Sequence, residues 1–236
     1  MKDSLKLEKL LVPISIIVAG ALVGAAVLYA NKGNNVAGNQ QQGQPQDQQQ
    51  GQQPESKAYL NVAKITSQDH IYGNKKAKIK VVAYTDLECP YCSKFHPIIK
   101  NIVDESNGEI ALVLRYFPLP FHPQAQEAAE SAECVYAKGG DSAYWKFVDN
   151  TFAAYDKSEG AKIDLAAVAS KSGANISSCD KASYDQKIKE QAANGQESGL
   201  QGTPFAVVVV NGEAKGTIDG AYPKERVQQI ISDLSK

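Results

Sequence analysis

The sequence predicts an α/β fold, set behind an apolar N-terminal segment and a polar linker. Three features carry this expectation. A strand–turn–helix passage surrounds Cys89-Pro90-Tyr91-Cys92, helical patterns fill the middle of the chain, and a strand–Asn-Gly–strand passage precedes a last helix. After the linker about 180 residues remain, one domain's worth, and no internal repeat divides them. The net charge is −1 over 236 residues. With no basic stretch of the kind that tracks a phosphate backbone, nucleic acid is excluded as an expected partner.

In chain order, residues 1–9 carry Lys2, Lys6 and Lys9, and Leu10 to Ala30 is an uncharged run of Leu, Ile, Val, Ala and Gly. That run is long enough to cross a bilayer core of roughly 30 Å. It predicts a single transmembrane helix with a cytoplasmic N-terminus, since lysines precede it. The alternative is a cleaved secretory signal, for which Ala19-Gly20-Ala21 resembles the cleavage site, although a signal's apolar core is usually about 7–15 residues. Either way the bulk of the chain is expected outside the cytoplasm, at the cell membrane if the anchor is kept. No cysteine follows the run closely, which argues against a lipoprotein anchor. Residues 31–57 turn abruptly to Gln, Asn and Gly with Pro45 and Pro54. Nothing there could bury a core, so a disordered spacer is expected, with a root-mean-square span of roughly 30 Å as a coil.

The folded domain is expected over residues 58–236. Ile79 to Tyr84 is an apolar run that reads as a strand. Ser93 to Val103, with Phe95, Ile98, Ile99 and Ile102 on one side, reads as an amphipathic helix. Glu109 to Phe117 predicts a second strand, closed by Pro118 and Pro120. Pro123 opens a helix with Ala125, Ala128, Ala129, Ala132 and Val135 inward, which Gly139-Gly140 should end. A second helix holds Tyr144, Phe147, Val148 and Phe152, with Trp145 in its packing face. Asp164 is placed to cap a third helix through Leu165, Val168 and Ala169, and a fourth runs from about Lys181 to Ala193. Phe205 to Val210 is the next strand. Asn211-Gly212 is a strong hairpin signal leading back through Lys215 to Ile218. A final helix starts at Pro223 and carries Val227, Ile230, Ile231 and Leu234.

The chemistry is expected at Cys89 and Cys92. A helix N-terminus has unpaired N–H groups and roughly half a positive charge, which favours a thiolate, the nucleophile of disulfide exchange. The spacing lets the two sulfurs join within one helical turn, and Pro90 stands where a missing N–H costs nothing. A structural zinc knuckle is the alternative use of such a pair, but it needs four ligands. Cys134 and Cys179 are isolated, and His70, His96 and His122 have no paired ligand spacing, so no metal site is expected. Outside the cytosol, Cys134 and Cys179 are expected to form a structural disulfide; two free buried thiols remain the alternative, since sequence does not show whether they meet.

Several motifs together resemble the DsbA-type thiol–disulfide oxidoreductases. They are Asp86-Leu87-Glu88-Cys89-Pro90-Tyr91-Cys92-Ser93-Lys94-Phe95-His96, Arg115-Tyr116-Phe117-Pro118-Leu119, Ala132-Glu133-Cys134, and Gly199-Leu200-Gln201-Gly202-Thr203-Pro204-Phe205. Gly212 and Asp219-Gly220-Ala221 fit as well, so the likeness runs from about Ile65 to the C-terminus. It implies a thioredoxin-like fold with an inserted α-helical subdomain at about residues 121–198. It implies that Cys89 is the nucleophile at the exposed helix end and Cys92 the buried resolving thiol. It also implies that Pro204 is cis and lies against the cysteine pair, where its loop offers backbone groups to an extended substrate. From the residues alone, Pro204 could equally be a trans proline starting a strand. The resemblance makes Thr203, Pro204, Pro90 and Tyr91 candidate substrate-binding residues.

The implied activity is disulfide formation in exported proteins that contain cysteines. The cysteine pair carries the electrons, so no cofactor is expected, and a membrane quinone-linked partner of the DsbB kind is implied for reoxidation. A reductase or isomerase is the alternative within the class; a copper(I)-binding chaperone is the alternative outside it, lacking a well-placed third ligand. Tyr91 adds no positive charge between the cysteines, which predicts an intermediate oxidant with a Cys89 pKa below about 8. One position departs from the pattern. Many relatives have an acid six residues before the first cysteine, and here Ala83 stands there. Asp86 and Glu88 are expected as solvated turn residues, His96 as a packing residue and His122 as a helix cap.

Overall fold

A computed structural model describes residues 57–236. The expected anchor and all but the last residue of the expected linker lie outside the described residues. Lys57, assigned to the linker, instead opens a short 3-10 turn, Lys57–Asn61. Among the described residues no helix is long and apolar enough to cross a membrane.

Five strands form one sheet: β1 (His70–Gly73), β2 (Ile79–Thr85), β3 (Ile110–Tyr116), β4 (Phe205–Val210) and β5 (Glu213–Asp219), in the order β1-β3-β2-β4-β5. β2 and β3 are parallel and joined through α1 (Pro90–Glu105), while the remaining pairs are antiparallel. Central between β3 and β4, β2 has core against both faces, which is why Val81, Val82, Ala83 and Tyr84 are apolar in succession rather than alternating. Val81 and Ala83 point with Leu112, Leu114, Ala206 and Val208 into the larger core, beneath α1 and the helices that follow β3. Val82 and Tyr84 point the other way, with Val113, Val207, Phe205 and Leu200. Asn211 and Gly212 take positive φ, 50° and 86°, the conformation a tight hairpin needs at both central positions.

The insertion between β3 and β4 contains α2 (Ala125–Ser158), α3 (Leu165–Lys171) and α4 (Asp185–Glu197). Gly139-Gly140 does not end the helix as its sequence predicts. Gly140 alone leaves helical geometry, at φ 70° and ψ −168°, and the chain resumes as helix to Ser158. The glycine makes a kink because the aromatic face beyond it, Tyr144, Trp145, Phe147 and Phe152, still has a core to fill. Asp164 caps α3 as expected, accepting from the N–H groups of Ala166 and Ala167. Lys181 begins a 3-10 turn and the α-helix proper starts at Asp185. α5 (Lys224–Leu234) follows Pro223 and buries Val227 and Ile231. Cys134 on α2 and Cys179 before α4 form a disulfide, with Cα atoms 5.9 Å apart and a separation of 45 positions in sequence. It ties the long helix to the far end of the insertion.

Candidate active site

The site lies where β2 ends and α1 begins. Cys89 is the N-cap of α1, with extended φ/ψ (−76°, 123°), and Pro90 occupies the first helical turn. Cys92 lies on the same turn and faces the core. The two sulfurs are free thiols. Cys89 is only 3% exposed and Cys92 1%. Cys89 is thus less open than a bare helix end implies, because the loop before β4 closes over it. In that loop the Thr203–Pro204 bond is cis, and the Cys89 thiol donates to the Thr203 carbonyl at 3.6 Å. The sheet explains this meeting: β2 and β4 are neighbours with Tyr84 opposite Phe205, so the residue after Pro204 lies level with the end of the strand that leads into Cys89.

The two thiols differ strongly in acidity. The Cys89 pKa is held down at about 6, first by a hydrogen bond from the Cys92 thiol. Burial opposes this, while Thr203 and the N–H groups of Cys92 and Tyr91 add to it. Burial drives the Cys92 pKa well above its ordinary value, and the Cys89 charge beside it pushes the same way. Of the two, Cys89 is therefore the thiol that ionises first, giving up the proton it otherwise donates to Thr203, while Cys92 keeps its own. Thr203 Oγ1 is buried without a partner among the described residues, so its proton is free to turn toward sulfur. Of the two residues between the cysteines, Tyr91 is 61% exposed, with the Lys94 ammonium 5.7 Å from its ring centre.

The surrounding turn differs from expectation. Asp86 is buried rather than solvated. Its carboxylate accepts from the Glu88 N–H at 2.8 Å, the Leu119 N–H at 2.8 Å and His122 Nδ1 at 2.7 Å. His122 is therefore a hydrogen-bond partner of Asp86 rather than a helix cap, and Gln124 stands at the N-cap of α2. Glu88 accepts from the Gln124 N–H at 2.7 Å. Nothing local in the sequence signals the burial of Asp86, because two of its partners come from a loop more than thirty residues away. The one available cue was Asp86's place two residues before Glu88, the spacing at which an aspartate closes a turn on its own backbone. His96 packs as expected, 6% exposed and bonded to Asp149 at 2.8 Å. Ala83 lies within β2 in the core, 2% exposed.

A family model described as thioredoxin matches residues 65–233. The chain belongs to the thioredoxin family, among its DsbA-type thiol–disulfide oxidoreductases. The crystal structure of DsbA2 from Pseudomonas aeruginosa is similar at 28% identity and a TM-score of 0.60, over 73% of this chain and 97% of that one. Wolbachia pipientis α-DsbA1 (23% identity, TM-score 0.57, 74% of this chain and 95% of that one) shares the fold. So does a periplasmic thioredoxin-like protein from Salmonella enterica (19% identity, TM-score 0.60, 77% and 98%). Among curated proteins the similarity falls on Na(+)/H(+) antiporters named NhaA. The one from Salinispora arenicola is 40% identical over 83 residues, 35% of this chain and 12% of the antiporter. The one from Mycolicibacterium gilvum is 28% identical over 167 residues, 65% and 25%. The chain thus spans only about an eighth to a quarter of the length of these relatives.

Proposed function

We propose that this chain is a membrane-tethered, extracytoplasmic oxidase that introduces disulfides into exported proteins through Cys89 and Cys92. The observation that carries the reading is the pairing of a Cys89 thiol held at about pKa 6 with a Cys92 thiol held well above its ordinary value, under the Thr203–Pro204 loop. In the oxidised protein, a substrate thiolate attacks Cys89 Sγ, and the Cys89–Cys92 bond breaks. Cys92 leaves with the bonding electrons and takes up a proton. A second substrate thiolate then attacks the substrate sulfur of the mixed disulfide, and Cys89 leaves as a stabilised thiolate. The substrate has lost two electrons and the protein has gained them. A leaving thiol of low pKa leaves faster, and a stabilised thiolate makes the disulfide more oxidising.

The surroundings support a protein substrate. Tyr91 and Phe121, 61% and 71% exposed, lie on the segments that flank the cysteine pair, and Gly220 donates to the Pro204 carbonyl just ahead of the exposed Tyr222. Apolar rings on a surface favour an unfolded chain over a small polar thiol. Continued turnover needs an acceptor for the two electrons, and a quinone-linked membrane protein of the DsbB kind meets that need without a cofactor in this chain. The test is the reduction potential of the Cys89–Cys92 pair in the full-length chain, equilibrated in glutathione buffers. A potential of about −120 to −180 mV, the span from DsbA to protein disulfide isomerase, is expected. A value near about −270 mV, where thioredoxin lies, would reverse the direction to reduction.

A further inference from the structure

The two faces of the sheet are covered unequally. Ile99 and Ile102 of α1, with Val227 and Ile231 of α5, close the face of Val81 and Ala83. On the other face, Tyr59, Val62 and Ile65 ahead of β1 and Ala192 of α4 pack on the cluster around Val82 and Tyr84. Near the start of β2 that cover gives way to a cleft of about 850 Å³, floored by Ile71, Val209 and Ala214. We propose that this cleft binds a single-chain amphiphilic anion, with its hydrocarbon on the sheet and its carboxylate or phosphate at Lys80 and Lys78. The inference goes beyond the thiol chemistry and does not depend on it. Lys80 and Thr85 are five residues apart on β2, so roughly 17 Å of strand separates Lys80 from the turn that leads to Cys89.

Lys80 is the observation behind it. By the two-residue period of a strand it shares the face of Val82 and Tyr84, so the central strand places a cation where its neighbours place apolar side chains. It is half-buried, and its ammonium donates to the Ala77 carbonyl at 2.7 Å. An ammonium has three N–H donors, so two are left for a ligand. Lys64 and Lys78 also line the cleft, and among the described residues no carboxylate pairs with any of these three lysines. The Asn211 N–H donates to the Lys78 carbonyl at 2.9 Å, which holds Lys78 against the β4–β5 turn, two residues from Lys80. The other charges of the cleft are already matched: Lys75 meets Asp141 at 3.0 Å and Glu213 meets Lys215 at 2.6 Å.

The lining selects the class of ligand. Ligand sites of roughly 300–1,000 Å³ are mostly apolar, with a few polar groups that fix orientation. Inorganic phosphate would satisfy the lysines and leave the apolar floor against water. An uncharged hydrocarbon would cover the floor and leave a half-buried ammonium without a counter-charge, which a desolvated site penalises. A molecule with one anionic end and an unbranched apolar body answers both needs. Each CH₂ it buries strengthens binding by about fourfold at most. The rival use of Lys80 is to lay its stem over the sheet with its ammonium in water, a use that needs no anion.

Amide hydrogen exchange across residues 209–214 reads occupancy of the cleft in the full-length chain, held in nanodiscs of phosphatidylcholine. At about ten times its Kd, decanoate should slow exchange there roughly 10-fold. Octanoate, two CH₂ groups shorter, should bind roughly 10-fold more weakly. Decanol, which has the chain without the charge, and inorganic phosphate, which has the charge without the chain, should leave exchange unchanged. Lys80→Met keeps an unbranched side chain on the sheet without the ammonium. It should weaken decanoate binding roughly 10-fold or more while Cys89 still titrates at about pH 6. Lys78→Gln, at an exposed position, should weaken it as well. Decanol as protective as decanoate, or a Lys80→Met chain that binds decanoate as tightly, overturns the proposal. So does a hairpin protected before decanoate is added and unchanged by it, because a segment of this chain or a second copy then fills the cleft. A chain that stays out of the discs counts against the anchor alone, and the same titration in solution then decides the cleft.

Discussion

At the scale of single residues, the acidity of Cys89 has a direct consequence for stability. Its folded pKa, about 6, lies below the usual thiol value of 9.0. The thiolate therefore stabilises the reduced protein fully above about pH 9, and this contribution is lost as pH falls through about 6. The oxidised protein has no such titration. Between pH 5 and pH 8 the reduced form should gain stability over the oxidised form, a trend that urea unfolding of both forms would measure. A parallel pair of pH curves would refute it. The Thr203 hydroxyl contributes to the low Cys89 pKa alongside the first-turn N–H groups, after the Cys92 thiol. Thr203→Val keeps the shape and removes the donor, so the thiolate absorbance of Cys89 should titrate at a higher pH. An unmoved midpoint would assign the acidity to Cys92 and the backbone alone.

At the scale of elements, two features of the insertion invite measurement. Gly140 combines φ 70° with ψ −168°, and an added Cβ would meet nothing within 4 Å. Gly140→Ala therefore tests backbone strain without a steric clash, and a loss of about 1–3 kcal/mol is expected in chemical unfolding. A loss well below that range would mean α2 straightens at no cost. Replacing both Cys134 and Cys179 by Ala opens a long loop, which costs about 2–4 kcal/mol while leaving the Cys89–Cys92 potential nearly unchanged. A shift of that potential by more than about 30 mV, the equivalent of 1.4 kcal/mol, would tie the structural bridge to the active pair. Both features also mark how far the sequence could be read. β2 and β4 were legible because strands buried on two faces are written in continuous apolar residues. The Cys89 helix was legible because its proline, cysteines and apolar face share one short segment. β1 went unread, as a four-residue edge strand, His70–Gly73, too short for alternation to register. Gly139-Gly140 read as a stop because the aromatic core that draws the helix onward is assembled from distant segments. Asp86 read as solvated for the same reason: its burial depends on His122, 36 residues away.

At the scale of the whole molecule, the proposed function turns on which side of the membrane Cys89 faces. Lys2, Lys6 and Lys9 stand ahead of the uncharged Leu10–Ala30 run, and the first charge after it is Lys32. Positive residues on short flanks are retained in the cytoplasm, which would send residues 31–236 across the membrane. The chemistry argues for the same side. A cysteine pair poised to oxidise would be held reduced by cytosolic glutathione and thioredoxin, whereas disulfides persist outside. A coil of the linker's composition would let the domain range over roughly 30 Å, enough to meet both an emerging substrate and a membrane-bound oxidant without fixing one orientation. In intact cells briefly treated with a permeant reductant and washed, a membrane-impermeant maleimide should modify Cys89. The full-length chain should also stay with the membrane fraction in alkaline carbonate. Protection of Cys89 until the cells are broken would place the domain in the cytosol and remove disulfide formation in exported proteins from consideration. Modification of Cys89 on a chain released into carbonate would keep the outward-facing chemistry and replace the anchor with a cleaved signal.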